Sequence, residues 1–300
     1  MYSRGTNSLQ DAFQKRAGWG EAWEAVLRSE PGKRVIMKVE KQKIKDGHEK
    51  SCAKNTRNFK MIVEYDGTAY CGWQRQENGL TIQQVLEEAI GLITEEKVAV
   101  IGSGRTDAGV HALNQVAHFK SGSLLPLNNI HRGLNSVLPP DIVVKKMEEV
   151  SGEFHAQHDV ISKVYFYKIC NQPLSPALGR NYFWHIRFPL DLPRMRKAAK
   201  YLIGTHDFSC FCATGTQVKD RVRTIMDIKI KTCDDGLIEI TVESRGFLKY
   251  MVRNIIGTLV DVGRGKRKPE EMKLIIESKN RKIAGVTAPA CGLFLKEVKY

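Results

Sequence analysis

Gly104-Arg105-Thr106-Asp107-Ala108-Gly109-Val110-His111-Ala112 sets one carboxylate, flanked by Arg105 and His111, in a glycine-punctuated turn. A carboxylate of this kind can act as nucleophile or general base when a nearby cation keeps it ionised and the turn exposes it. A strand expected at 98–101 ends just before it, and rigid scaffolds display reactive groups where strands pass into loops. An Asp beside Gly is also a common turn residue; three further motifs in the same chain give Asp107 its weight.

In Tyr65-Asp66-Gly67-Thr68-Ala69-Tyr70-Cys71-Gly72-Trp73-Gln74-Arg75-Gln76, aromatic side chains interleave with polar and basic ones. Aromatics stack on bases while Arg and Gln hold phosphates or base edges, the usual grip on single-stranded or looped RNA. For Trp73 a buried core position is an equal alternative. In Lys163-Val164-Tyr165-Phe166-Tyr167, period-two spacing sends Tyr165 and Tyr167 to one face of a strand. Tyr165 is the candidate to stack under a base or move a proton, and Tyr167 is assigned to the core. The run from Gly246 to Gly257 embeds Arg253 one step off the apolar stripe of a helix. A guanidinium there needs an anionic partner, because an unpaired buried charge is expensive. Asp107 is the candidate partner.

The elements that must position these residues follow from periodicity. Alternating Phe59, Met61, Val63 and Tyr65 predict a strand, and Thr81 with Gln84 caps a helix whose apolar face runs from Ile82 to Ile93. Strands are expected at 98–101, 115–119 and 142–147, with a helix at 127–138 stopped by Pro139-Pro140. The second half repeats the scheme, with a strand at 163–169, a helix at about 193–203 stopped by Gly204, and strands at 222–230 and 237–244 joined across Asp234-Asp235-Gly236. The strongest helical pattern recurs from Leu248 to Val260; a helix from Pro269 to Ile276 and a strand at 293–298 close the chain.

Both halves fit the split βαβ plan of ferredoxin-like units. The expected class is therefore α+β, with two ferredoxin-like α/β domains at 58–160 and 161–300, a mixed, mainly antiparallel arrangement of strands, and either a shared cleft or a continuous sheet between the halves. Residues 1–57 read as a charged N-terminal extension, either poorly ordered or partly helical, with a short amphipathic pattern around Trp19, Trp23 and Val26.

A net charge of +14 points to a polyanionic partner. Residues 1–57 account for +6 of it, so the globular part is basic in its own right. Seven cysteines without CxxC spacing suit reduced thiols, and Cys210 with Cys212 suit buried small side chains better than a metal site. No apolar run is long enough for a membrane span and no apolar leader opens the chain, which makes the cytoplasm the expected location.

The motifs occur in a recognisable order: Arg105 to Ala112, Gln115-Val116-Ala117-His118-Phe119, Phe154-His155-Ala156, Gly204-Thr205-His206-Asp207-Phe208, Arg223-Thr224-Ile225, Met251-Val252-Arg253-Asn254 and Ala288-Pro289-Ala290. Together they resemble the TruA family, the tRNA pseudouridine synthases A, over about residues 59–300. The resemblance implies a pseudouridine synthase fold with a central RNA-binding cleft, Asp107 as catalytic aspartate, Tyr165 as base-stacking and proton-moving tyrosine, and Arg253 as partner of the carboxylate. It further implies isomerisation of uridine to pseudouridine in the anticodon stem-loop of tRNA, typically at positions 38 to 40, by a homodimer without cofactor or metal. Arg105, Thr106, His111, Trp73, Gln74, Arg75 and Lys163 are the expected substrate contacts. The chain departs from the family at Gln157, where arginine is frequent, and at Val164, where a basic or polar residue is; Lys163 can supply a phosphate contact instead. A tRNA-binding or folding module without catalysis is the alternative. A glycosidase-like hydrolase is a third reading, but it wants a second carboxylate across the bond.

Overall fold

The first strand, β1 (Arg57–Tyr65), buries Phe59, Met61, Val63 and Tyr65 on one face, as the alternation requires. It belongs to the computed structural model of the chain, which describes residues 56–233 and 236–300; the expected N-terminal helix and the Asp234-Asp235 turn positions lie outside them. Thr81 Oγ1 accepts the Gln84 N–H at 3.3 Å and opens α1 (Ile82–Thr94), whose buried face is Ile82, Leu86, Ala89 and Ile90. Then come β2 (Ile101–Gly102), β3 (His111–Ser121), α2 (Leu127–Val137) and β4 (Ile142–Val150). Leu138 closes α2 immediately before the two prolines.

The strand expected at 98–101 shrinks to Ile101–Gly102 for a local reason. Val100 N–H donates to Glu87 Oε1 at 3.1 Å, and Val100 O accepts from Gln83 Nε2 at 3.1 Å. Side chains of α1 thus take the backbone groups that a strand partner would have used.

The second half contains β5 (Ser162–Cys170), β6 (Trp184–His185), α3 (Leu192–Lys200), β7 (Gly204–Asp207), β8 (Val222–Thr232), β9 (Leu237–Ser244), α4 (Met251–Gly263), α5 (Glu271–Ser278) and β10 (Leu293–Lys299). Asp191 caps α3 by accepting the Arg194 N–H, and the helix ends at Lys200, earlier than the periodicity suggested. Gly204, at φ +107°, turns directly into β7, a strand not foreseen. Met195, Ala198 and Ala199 on α3 are buried with α4, and both packed cysteines, Cys210 and Cys212, lie in the same core.

The fold is α+β with a mixed sheet. Among the described residues ten strands form one sheet in the order β4-β1-β3-β10-β5-β9-β8-β7, with β2 on β3 and β6 on β5. Neighbours are antiparallel except β10 with β3 and β6 with β5. The C-terminal strand is the joint between the halves. Leu295 pairs with Ala112 on one side and Tyr165 on the other, so the start of β3 and the middle of β5 become near neighbours. Among the described residues no helix is long and apolar enough to cross a membrane.

Candidate active site

The loop from Ser103 to Val110 joins β2 to β3 and is pinned along its length. At its start Ser103 N–H donates to Val116 O at 2.7 Å, Ser103 Oγ donates to Gln115 Oε1, and Gln115 Nε2 donates to Gly104 O. In its middle, Thr106 O accepts the Trp73 N–H at 3.1 Å and Thr106 Oγ1 shares a hydrogen bond with the Tyr65 hydroxyl at 2.9 Å. Gly72 makes this approach possible: at φ +90°, a Cβ there would sit 2.5 Å from Thr106 O. At its end, Val110 N–H closes a turn onto Asp107 O. The Asp107 backbone is therefore held between a buried sheet and the 70–73 segment, which fixes where its carboxylate points.

That carboxylate meets the other half of the chain. Arg253 Nη1 donates to Asp107 Oδ2 at 3.2 Å, with side-chain exposures of 15% and 23%, so the pair is screened from bulk water but still reachable. Arg253 Nε donates to Ala288 O at 2.8 Å, and its guanidinium lies over the Tyr250 ring at 4.9 Å. Tyr250 precedes α4 at φ +63°, a left-handed conformation costing a non-glycine residue on the order of 1–3 kcal/mol. Burial pushes the Asp107 pKa above the ordinary carboxylate value, while the charges of Arg253 and then Lys249 pull it back. Both charges bearing on this acid are cationic.

Tyr165 lies one strand pairing away from β10, with its ring edge-on to Phe247 at 5.2 Å. Burial raises its phenol pKa, and the negative charge of Asp107 adds to the rise, so the hydroxyl stays protonated. It makes no hydrogen bond among the described residues. Tyr167, by contrast, is fully buried and donates to Pro289 O at 2.8 Å, the core role expected of it.

An anionic residue on β3's leading loop, a cation on α4 and a free phenol on β5 thus converge where β10 stitches the halves together. The sequence comparison agrees with this architecture: residues 61–159 and 198–300 match the family described as tRNA pseudouridine synthase. The chain belongs to the tRNA pseudouridine synthase family. It is 50% identical over 244 residues to the tRNA pseudouridine synthase A 2 of Clostridium perfringens, covering 81% of this chain and 100% of that one. It is 49% identical over 244 residues to the tRNA pseudouridine synthase A of Thermoanaerobacter sp. strain X514, with the same coverage of each chain.

The remaining expected contacts of this pseudouridine synthase fall into two groups. Arg105 is exposed on the Asp107 loop and makes no hydrogen bond or ion pair among the described residues. Lys163 reaches beneath the same loop, where Nζ donates to Ser103 O at 2.5 Å, and burial draws its pKa down to about 8. Gln74 is exposed and donates to Gln83 Oε1, while Arg75 is held by Glu87 at 2.9 Å and lies 4.0 Å from Glu88.

The second group is interior. Trp73 is 2% exposed and wedges against Gly102, where an added Cβ would lie 2.5 Å from the indole. Thr106 is buried through its contacts with Tyr65 and Trp73. His111 is stacked on Phe294 at 4.6 Å. Burial lowers the His111 pKa against the opposing charge of Asp66, whose Oδ1 lies 3.0 Å from Nδ1; Nδ1 also faces the Gly67 N–H at 3.1 Å, and Nε2 lies 3.2 Å from Asn181 O. These three side chains support the loop from below.

Lys249 and Tyr250 are site neighbours that the sequence reading passed over. Both stand inside the 246–257 motif, but attention there fell on Arg253. A lysine four residues and an aromatic three residues before a helix arginine, one turn back, were the available signal.

Proposed function

We propose that this chain isomerises uridine to pseudouridine in tRNA, with Asp107 as the reacting carboxylate, Arg253 as the cation that keeps it ionised, and Tyr165 beneath the substrate base. The observation that carries the reading is the contact between Asp107 and Arg253, drawn from opposite halves of the chain. The favoured substrate region is the anticodon stem-loop, at positions 38 to 40, and the working form is a homodimer.

The reaction breaks one carbon–nitrogen glycosidic bond, turns the uracil and joins its C5 to the same ribose carbon, with nothing consumed. An ionised Asp107 can add to uracil C6, add to ribose C1′, or take the C2′ proton. Arg253 supports each route by stabilising the carboxylate before the reaction and accompanying it through charge redistribution. Tyr165, protonated and without an internal partner, can donate a hydrogen bond to the detached base or relay the C5 proton. Because a stem or stacked loop hides the reacting atoms, the nucleotide has to be extruded into the site. Arg105, free and exposed beside Asp107, suits a backbone phosphate at that moment, and the half-buried ammonium of Lys163 adds positive potential under the loop.

Incubating the protein with unmodified tRNA and mapping pseudouridine tests the reading directly. New pseudouridine at 38 to 40 is the expected result; conversion elsewhere removes the positional assignment, and no conversion in any tRNA removes the activity. The same preparation tests the electrostatic division between the two arginines. Arg105→Ala is expected to weaken tRNA binding and reduce the slope of log affinity against log salt by about one. Arg75→Ala should do less, because Glu87 already offsets its charge. Equal slopes for the two variants would place the phosphate contact elsewhere.

A further inference from the structure

Arg253 is held from behind as well as by Asp107. Its carbonyl accepts the Ala288 N–H at 3.1 Å while its Nε donates to Ala288 O, so residue 288 clasps both the backbone and the guanidinium of residue 253. The segment around Ala288 also touches the other site elements. Pro289 O receives the Tyr167 hydroxyl, and Ala290 Cβ would lie 3.3 Å from a Cβ added to Gly109, two residues beyond Asp107. Whatever sets the path of residues 284–290 therefore sets the distance between acid and cation.

One side chain gathers that path. Arg281 Nη1 donates to Gly285 O at 2.8 Å, and its Nη2 donates to Asn254 Oδ1 at 2.9 Å and to Thr287 Oγ1 at 3.0 Å. Thr287 Oγ1 in turn donates to Asn254 Oδ1 at 2.6 Å, and Asn254 Nδ2 donates to Phe211 O at 2.7 Å. Asn254 is fully buried and follows Arg253 on α4; Thr287 precedes Ala288. Gly285 N–H donates to Thr258 Oγ1, and a Cβ on Gly257 would run into the Val286 carbonyl, so the segment lies flush on the helix. No carboxylate pairs with Arg281 among the described residues. A part-buried guanidinium that spends its donors on main-chain and amide oxygens acts as a fixed fork, a geometry lysine cannot reproduce.

We propose that Arg281 is a positioning residue for the reaction: through Asn254 and Thr287 it fixes Ala288, and through Ala288 it holds the Arg253 guanidinium in reach of Asp107. This inference rests on the reading of Asp107 and Arg253 as the reacting pair. Arg281 makes no hydrogen bond or ion pair with Asp107; its partners are Ala284, Gly285, Asn254 and Thr287. Its loss lets the 284–288 segment relax and Arg253 drift, and displacements of about 1 Å in a reacting constellation cost up to about a hundredfold in rate.

Single-turnover rates on saturating tRNA, KM for tRNA, pH–rate profiles and thermal unfolding of the full chain are the measurements. Arg281→Gln is expected to lower kcat between about ten- and a hundredfold with KM within about twofold. Its acid limb should move to higher pH, because a displaced Arg253 no longer opposes the burial of Asp107; the charged groups facing that acid are Arg253 and Lys249. Arg281→Lys should recover part of the rate, and Thr287→Val should shift rate and limb in the same direction by less. A merely structural arginine would lower the unfolding temperature and leave both kcat and the acid limb of the folded fraction unchanged, which overturns the proposal. If Arg281→Gln does not fold, Thr287→Val decides, and a wild-type rate and limb there overturn it equally. Asp107→Asn separates the two levels. Activity in that variant takes down the reacting-pair reading and this inference with it, whereas an inactive Asp107→Asn beside fully active Arg281 variants removes the inference alone.

Discussion

Asp107→Asn is expected to reduce isomerisation by about a thousandfold or more while leaving tRNA affinity within a few-fold. Asparagine keeps the shape and one acceptor for Arg253 Nη1, so the loop pinned by Gly72, Thr106 and Val110 has no reason to move. What disappears is the negative charge and the lone pair with carboxylate basicity. Rate and affinity measured on the same tRNA separate these effects, and an active Asp107→Asn would transfer the chemistry to another group.

The same substitution has a consequence for stability whose sign follows from burial. The Asp107 pKa is raised in the folded chain above its unfolded value. A group shifted in this direction contributes stability below its unfolded pKa and loses that contribution as pH rises through the folded pKa. At neutral pH the ionised carboxylate is therefore a burden on the fold. Measured against Asp107→Asn, the parent should therefore lose unfolding temperature as pH rises from acid to 7 and its carboxyl ionises. A parent that gains on the variant as pH rises would mean that the ion pair with Arg253 outweighs desolvation.

How much of this was legible in the sequence depends on the range of the interaction concerned. The Thr81 cap, the β1 alternation and the proline stop after α2 are local, and each lies where its residues placed it. The partnership of Asp107 with Arg253 was also readable, 146 positions apart, because a guanidinium on an apolar helix advertises the need for an anion. The loss of most of the strand expected at 98–101 was not, since the Val100 backbone groups are taken by Gln83 and Glu87 on α1, a tertiary contact with no signature in the 98–101 window. Trp73 and His111 show the same limit at the site itself. An aromatic in an RNA-like motif reads identically whether it faces a base or lies beneath a loop, and the sheet that covers these two is completed by β10, the last strand of the chain.

Removing Arg253 should have the second largest effect and the more diagnostic one. Arg253→Met is expected to lower the rate by about a hundredfold or more, in the range seen when one preorganised electrostatic partner is deleted, with Arg253→Lys intermediate because a point charge cannot span Asp107 and Ala288 O together. The pH profile carries the mechanism. In the parent, burial raises the Asp107 pKa and the Arg253 charge is the largest force opposing it, ahead of Lys249. With the guanidinium gone, burial is less opposed and the pKa climbs further. A reaction that needs the carboxylate ionised is lost as pH falls through that pKa, so the acid limb of Arg253→Met should lie at higher pH than the parent's, with part of the missing rate returning on the alkaline side. Arg253→Lys should place its limb between the two. A slow variant whose acid limb coincides with the parent's would show that Arg253 serves the substrate rather than the acid, and the ion pair would then lose its place at the centre of the site.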